Sequence, residues 1–242
     1  MHLINTSLKL AALGAVLASS TFASLVIDTS SITGNSYSYS LSFDDLANST
    51  KFNADVFSQS NVSVSADGSG AGERRYIAAS TGATSASLVY KFDFTTAGYE
   101  ASSVSFKDYI LLNNTAIPTN SSTATTQWSV DGVNWTNIRT KTATGTQQTS
   151  NGTTTIDFAN LVATSVLTAL PDTVYYRVTF TSLSGTFIVN SQQWDRASPG
   201  TSQFTADFTL TSSSVPEPST FALMAGVAGL IFVGVSRRRM RR

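Results

Sequence analysis

The sequence predicts an all-β protein: a two-sheet antiparallel β-sandwich, jelly-roll-like, with an N-terminal signal peptide and one C-terminal transmembrane helix. Three observations carry that expectation. Apolar and polar residues alternate at period two through the middle of the chain. Serine and threonine supply 71 of 242 residues, which suits strand faces and turns. An uninterrupted apolar run stands near each end.

The strands follow in chain order. Tyr37, Tyr39, Leu41 and Phe43 alternate with Ser38, Ser40 and Ser42, the pattern of a half-buried strand. Leu88, Tyr90, Phe92 and Phe94 alternate with Val89, Lys91 and Asp93. Val104, Phe106, Ile110 and Leu112 share one face, with Ser105, Lys107 and Tyr109 on the other. Val174, Tyr176, Val178 and Phe180 alternate with Tyr175, Arg177 and Thr179, and Phe204, Ala206, Phe208 and Leu210 make the last strand. Shorter candidates lie at 62–64, 75–78, 127–130, 134–139, 154–158 and 186–189. Only residues 159–170 suit a short helix, which Pro171 would stop. No period of about 20 to 50 residues recurs, against a solenoid or propeller.

Composition removes several chemistries. The chain has no cysteine, and its one histidine is His2, so disulfides, thiol nucleophiles, histidine–zinc sites and histidine-dependent triads are excluded from the mature protein. Residues 24–214 hold nine basic and fourteen acidic residues, a balance of minus five. No nucleic-acid partner is expected, because phosphate binding needs a concentrated basic face.

The ends state the destination. Residues 1–23 read as a secretory signal: Lys9 is the only early charge, 10–18 is apolar, and Ala23 is a small residue at the cleavage point. Nine apolar residues are too few to span a bilayer that needs about 20. At the other end, Val215-Pro216-Glu217-Pro218-Ser219 follows a serine run, 221–235 is apolar, and Arg237, Arg238, Arg239, Arg241 and Arg242 close the chain. A helix over 219–236 is about 27 Å long at about 1.5 Å per residue, short against a core of about 30 Å. It spans with local thinning or with its arginines snorkelling, and those arginines stay cytoplasmic.

Pro216, Glu217 and Pro218, an apolar helix and terminal arginines in this order resemble the PEP-CTERM sorting signal of Gram-negative bacteria. The resemblance covers about 28 residues. It implies recognition of Pro216, Glu217 and Pro218 by an exosortase, a membrane protease-transferase. It also implies removal of the tail, delivery to the cell surface or extracellular matrix, and company with exopolysaccharide. The domains expected are a signal peptide at 1–23, an ectodomain at 24–211 and a sorting segment at 212–242. That last segment holds the motif at 215–219, the transmembrane helix at 220–236 and the arginine tail at 237–242.

Inside the ectodomain, Ser129-Val130-Asp131-Gly132-Val133-Asn134-Trp135 is the most recognisable stretch. Asp-Gly between two strands marks a hairpin. The stretch resembles the S-x-D-G-x-x-W hairpin of discoidin-like and other galactose-binding-like sandwiches, which specifies architecture more than activity. It departs from the aspartate box of sialidase-type propellers by one residue of spacing and by not repeating. Trp128 and Trp135 are expected to pack beneath it.

Trp194, in the polar loop expected at 192–196, is the candidate sugar platform. An indole stacks on the apolar face of a sugar, with Asp195 and Arg196 bonding its hydroxyls. The glycine-rich stretch 68–75 lacks the Lys-Ser/Thr and helix of a phosphate loop. Asp67 with Glu73, or Asp44 with Asp45, offer oxygens for a structural calcium ion, though no spacing matches a defined calcium loop. No other cofactor is expected. Asp108 shares the parity of Phe106 and Ile110, and an inward carboxylate needs a partner or a raised pKa.

The functional expectation is a non-enzymatic surface or matrix protein associated with glycan or exopolysaccharide. The alternatives are a secreted polysaccharide hydrolase working through two carboxylates and a purely structural surface protein without ligand.

Overall fold

The computed structural model describes residues 25–47, 50–67, 69, 73–80, 83–113, 121–182, 189–195 and 204–213. The expected signal peptide, sorting motif, transmembrane helix and arginine tail lie outside the described residues. Among the described residues no helix is long and apolar enough to cross a membrane.

Period-two alternation becomes strands β1 (Leu25–Val26), β2 (Ser36–Leu41), β3 (Val56–Ser60), β4 (Val62–Asp67), β5 (Arg74–Ala79) and β6 (Ser85–Asp93). They are followed by β7 (Tyr99–Asn113), β8 (Ser121–Ser129), β9 (Thr136–Thr144), β10 (Gln147–Asp157), β11 (Thr173–Ser182), β12 (Val189–Asp195) and β13 (Phe204–Ser212). Two six-residue helices interrupt them, α1 (Thr50–Asp55) and α2 (Phe158–Ala163). Asp157 caps α2 by accepting the Asn160 N–H at 2.9 Å. The helix stops at Thr164, with Ser165 in the left-handed region at φ +61°, so it ends well before Pro171. The expected span of 159–170 is corrected on that ground.

One sheet runs β1-β6-β11-β8-β9, with β3 also paired to β6. Because β11 occupies one edge of β6 from Ser85 to Asp93, β1 and β3 share the other, β1 beside Phe92 and Asp93, β3 beside 87–90. The second sheet runs β2-β13-β7-β12-β5-β4, with β10 on the far edge of β7. Here too one strand serves two partners end to end: β13 pairs with 99–107 of β7 and β12 with 110–113. Every register is antiparallel except that of β1 with β6.

The inner faces meet in one aromatic core. Tyr90 stacks on Phe204 with centroids 4.5 Å apart, Phe106 lies 4.7 Å from Tyr176, and Phe92 lies 5.0 Å from Phe208. All six rings are buried. Each pair joins one sheet to the other, so the two layers form a sandwich around a shared interior.

Candidate functional site

Alternation that buries Val174, Tyr176 and Val178 of β11 turns Tyr175, Arg177 and Thr179 outward. The registers set them in rows across the first sheet. One row is Lys91, Tyr175 and Ser129; the next is Val89, Arg177, Gln127 and Asn137; a third is Ser87, Thr179, Thr125 and Thr140. Rows on one face lie about 7 Å apart and strands about 4.8 Å.

The first of these rows is aromatic at both flanks. Phe57 of β3 and Trp135 meet Tyr175 edge to face at 5.7 and 6.3 Å between centroids. The Arg177 guanidinium lies 3.9 Å from the centroid of the Trp135 ring, and its Nε donates to Gln127 Oε1 at 2.8 Å. Gln127 in turn donates from Nε2 to Asn137 Oδ1 at 2.8 Å. Lys91 sits 5.8 Å from the Phe57 centroid and is paired with Asp93 at 2.9 Å. Beyond Arg177 the face carries hydroxyls, Thr125 with Thr140 and Thr123 with Thr142, the latter pair at 2.9 Å. Phe57, Trp135, Tyr175 and Arg177 are all half-buried.

The 129–135 connection shapes one side of this face. Asp131 Oδ1 accepts the N–H groups of Asn134 at 2.7 Å and Val133 at 2.8 Å together with the Ser129 hydroxyl, and Oδ2 accepts the Asn134 amide. Those bonds, the Asn134 N–H foremost, hold its carboxyl well below the ordinary 3.8. Gly132, at φ +70°, lies against Tyr175, and a Cβ there would come within 3.2 Å of the ring. The hairpin is as expected, but only Trp128 packs inward, edge to face on Phe158 at 5.5 Å. Trp135 is corrected to the outer face, because the register sets Thr136 opposite the inward Trp128 and so puts the preceding residue on the outward parity of Ser129 and Tyr175.

Asp108 is fully buried in the middle of β7, where the neighbour on one edge changes from β13 to β12. Arg139 of β9 donates to its Oδ1 and the Tyr176 hydroxyl to its Oδ2, so both oxygens are taken across the gap between sheets. Burial raises its pKa, and Arg139 and Tyr176 oppose that rise. Its register partner on β10 is Gly152, at φ +148°, where a Cβ would stand 3.0 Å from Arg139 Nη1. The missing side chain leaves the opening through which Arg139 reaches the carboxylate.

Trp194 and Asp195 are not in a loop: their backbone belongs to β12, paired with Arg75 and Arg74 of β5. Their side chains, and all of Arg196, lie outside the described residues. Of the proposed calcium ligands, Glu73 pairs with Arg75 at 3.0 Å and Asp45 accepts the Ser42 N–H at 2.7 Å. Among the described residues no group of three or more His, Cys, Asp or Glu is placed to hold a metal ion. A cleft of about 260 Å³ beside β1 is lined by Val26, Ile27, Asp28, Thr29, Thr96 and Ala97. Its one carboxylate, Asp28, accepts the Ser30 N–H at 3.1 Å.

Sequence reasoning missed Phe57, Gln127 and Asn137 as members of one face, and it did not single out Tyr175 and Arg177. The available signal was an aromatic and a cation on the polar parity of β11. Their convergence with Trp135 depends on register between strands far apart in sequence.

Residues 214–241 match the family model of the PEP-CTERM protein-sorting motif. The C-terminus is a sorting signal of that kind, which implies export, membrane anchoring of the tail before processing by an exosortase, and display at the cell surface. No curated protein matches the chain. Among solved structures it is similar to a family 11 carbohydrate-binding module from Clostridium thermocellum in complex with a β-1,3-1,4-mixed-linked tetrasaccharide. The identity is 13%, over 77% of this chain and 94% of that one, with a TM-score of 0.20. A TM-score so low gives that likeness no weight for fold or ligand, which rest on the registers and the face above.

Two outcomes follow from the geometry. Removing one partner of a buried pair leaves an uncompensated charge, so Asp108→Ala should cost ~3–5 kcal/mol in urea unfolding. Adding Arg139→Met should recover part of that loss; a double variant no more stable than Asp108→Ala would refute the pairing. Asp131, with its folded pKa below 3.8, adds stability that is complete above that value and lost as pH falls through the depressed one. Asp131→Ala should therefore melt lower than wild type at about pH 7 and lose less on acidification to about pH 2. An equal loss in both proteins rules the contribution out.

Proposed function

We propose that this chain is an exported surface protein that works without catalysis, as a glycan-associated module. In this reading a signal peptide at 1–23 starts export and a helix at 220–236 holds the chain in the inner membrane. The terminal arginines fix its orientation, and an exosortase reads Pro216, Glu217 and Pro218 before the jelly-roll-like ectodomain reaches the surface. There it associates with exopolysaccharide.

The observation that carries the glycan part is the outer face of the first sheet, where Phe57, Trp135 and Tyr175 lie half-buried beside Arg177, Gln127 and Asn137. Aromatic rings take the C–H faces of sugars, and amides and hydroxyls arrayed around them take the O–H groups. Support for the absence of catalysis comes from Asp108. Glycoside hydrolysis needs two carboxylates about 5 to 9.5 Å apart with one free to act, and both Asp108 oxygens are occupied by Arg139 and Tyr176.

The test is sedimentation of the protein, isolated from its host after export, with the host's own exopolysaccharide. Wild type should bind, and Trp135→Ala should weaken binding at least about tenfold, as loss of an aromatic anchor does. Trp194→Ala, run beside it, should leave binding unchanged; loss there alone would move the site to β12. No binding by wild type would end the glycan reading, and shortening of the polymer would replace it with hydrolysis. The sorting part is tested separately: replacing Pro216, Glu217 and Pro218 by alanine should leave the tail attached, seen as the unprocessed mass. Normal processing of that variant would refute recognition of the motif.

A further inference from the structure

We infer that the sugar selected by this face is an acidic one, a uronic-acid unit whose carboxylate docks on Arg177. The inference deepens the glycan reading and rests on it. It starts from the position of Arg177 on β11, the middle strand of the first sheet, between the aromatic cluster and the threonine hydroxyls. Its guanidinium is held in one plane by Trp135 at 3.9 Å and by the Nε bond to Gln127 Oε1. The donors on its two Nη atoms are given no partner by the described residues. Lys51, Arg75, Lys91 and Arg139 each face a carboxylate, at Asp55, Glu73, Asp93 and Asp108; among the described residues Arg177 faces none.

A half-buried guanidinium with a fixed plane and free Nη donors is a two-pronged receptor for a planar anion. A carboxylate meets it with two parallel N–H···O bonds, and little freedom is lost because stacking has already set the orientation. Two carboxylates on the first sheet and its 129–135 connection are already engaged. Asp93 is engaged by Lys91, and Asp131 by its own turn. The sugar ring that bears the docked carboxylate has the half-buried rings of Trp135 and Tyr175 on one side and the amides of Gln127 and Asn137 on the other. A neutral sugar would leave Arg177 without its counter-charge, which a guanidinium partly withdrawn from water makes unfavourable.

Polygalacturonate, the same polymer after reduction of its carboxyl groups, and dextran sulfate decide the matter, each tested by affinity electrophoresis with the exported protein. Wild type should bind polygalacturonate about tenfold or more tighter than the reduced polymer, and salt should weaken that preference. Arg177→Gln should abolish the preference, so that this variant binds polygalacturonate and the reduced polymer within about threefold of each other. Arg177→Lys keeps the charge but not the fork and should fall between the two. If Arg177→Gln does not fold, the lysine variant and the salt dependence of wild type decide. Equal affinity for polygalacturonate and its reduced form, or an unchanged preference in Arg177→Gln, overturns the inference and leaves the glycan reading standing. Dextran sulfate bound as tightly as polygalacturonate also overturns it, in favour of a general polyanion patch. Binding of none of these, nor of the host polymer, fails the glycan reading itself.

Discussion

Tyr90 stacks on Phe204 across the interior, and the strands on both sides take their parity from contacts of this kind. A strand has two faces and a period of two. Once Tyr176 is committed to Phe106 and Phe204, Tyr175 and Arg177 have only one place to go. A slip of one residue in β11 would bring a guanidinium into the aromatic core and put Val174, Tyr176, Val178 and Phe180 into water. The outer face of the first sheet is therefore specified from the inside. Its side chains take their direction from the core and then pack on one another, Arg177 on Trp135 and Trp135 and Phe57 against Tyr175.

The same core carries polar groups that a purely apolar sandwich would lack. Tyr39 donates to Asp55 at 2.8 Å, and Lys51 meets the same carboxylate. Tyr176 and Arg139 do the same for Asp108. Burial raises the pKa of the Tyr39, Tyr90 and Tyr176 phenols, so they stay neutral, and Tyr39 and Tyr176 act as donors. In both clusters a buried carboxylate is tied to a phenol and a cation: at Asp55 the cation comes from its own helix, and at Asp108 both partners come from the opposite sheet. A bond with direction fixes register more strictly than oily contact does, and at Asp108 it fixes the relation between the sheets themselves.

What could be read from the sequence follows from where large apolar residues fall. β2, β6, β7, β11 and β13 announce themselves because tyrosine, phenylalanine, leucine and valine occupy every second position. The first half of β8 does not, since its inward residues are Ser122, Ala124 and Thr126, buried all the same. β10 is similarly quiet, with Gly152 and Thr154 on its inner side, and α1 is too short to show a helical period. The inward direction of Asp108 was legible from parity alone, whereas Arg139 as its partner required the β8–β9 register and its irregularity at Thr126 and Gln127. Trp135 was misplaced because burial is the rule for tryptophan, and the pairing of Thr136 with Trp128 that turns Trp135 outward is not written in any short pattern. β12 lacks alternating apolar residues, since Gln192, Gln193 and Asp195 surround Trp194, and its pairing with β5 and β7 makes it a strand.

The last strand also sets a tether. β13 pairs with β2 and β7 up to Ser212, in the heart of the second sheet, and the apolar run of the tail begins at Phe221. The nine residues from Ser212 to Phe221 can extend at most about 30 Å. A chain held by a helix in the inner membrane would keep its folded sandwich within one domain's breadth of the bilayer. An enzyme that reads Pro216 to Pro218 would then work in the narrow space between a membrane and a finished β-sheet. The tail cannot gain slack by fraying β13, because Phe204, Ala206, Phe208 and Leu210 are all buried in the core. Clearance, set by the length of one short segment, thus decides how the protein can be handed from the membrane to the surface.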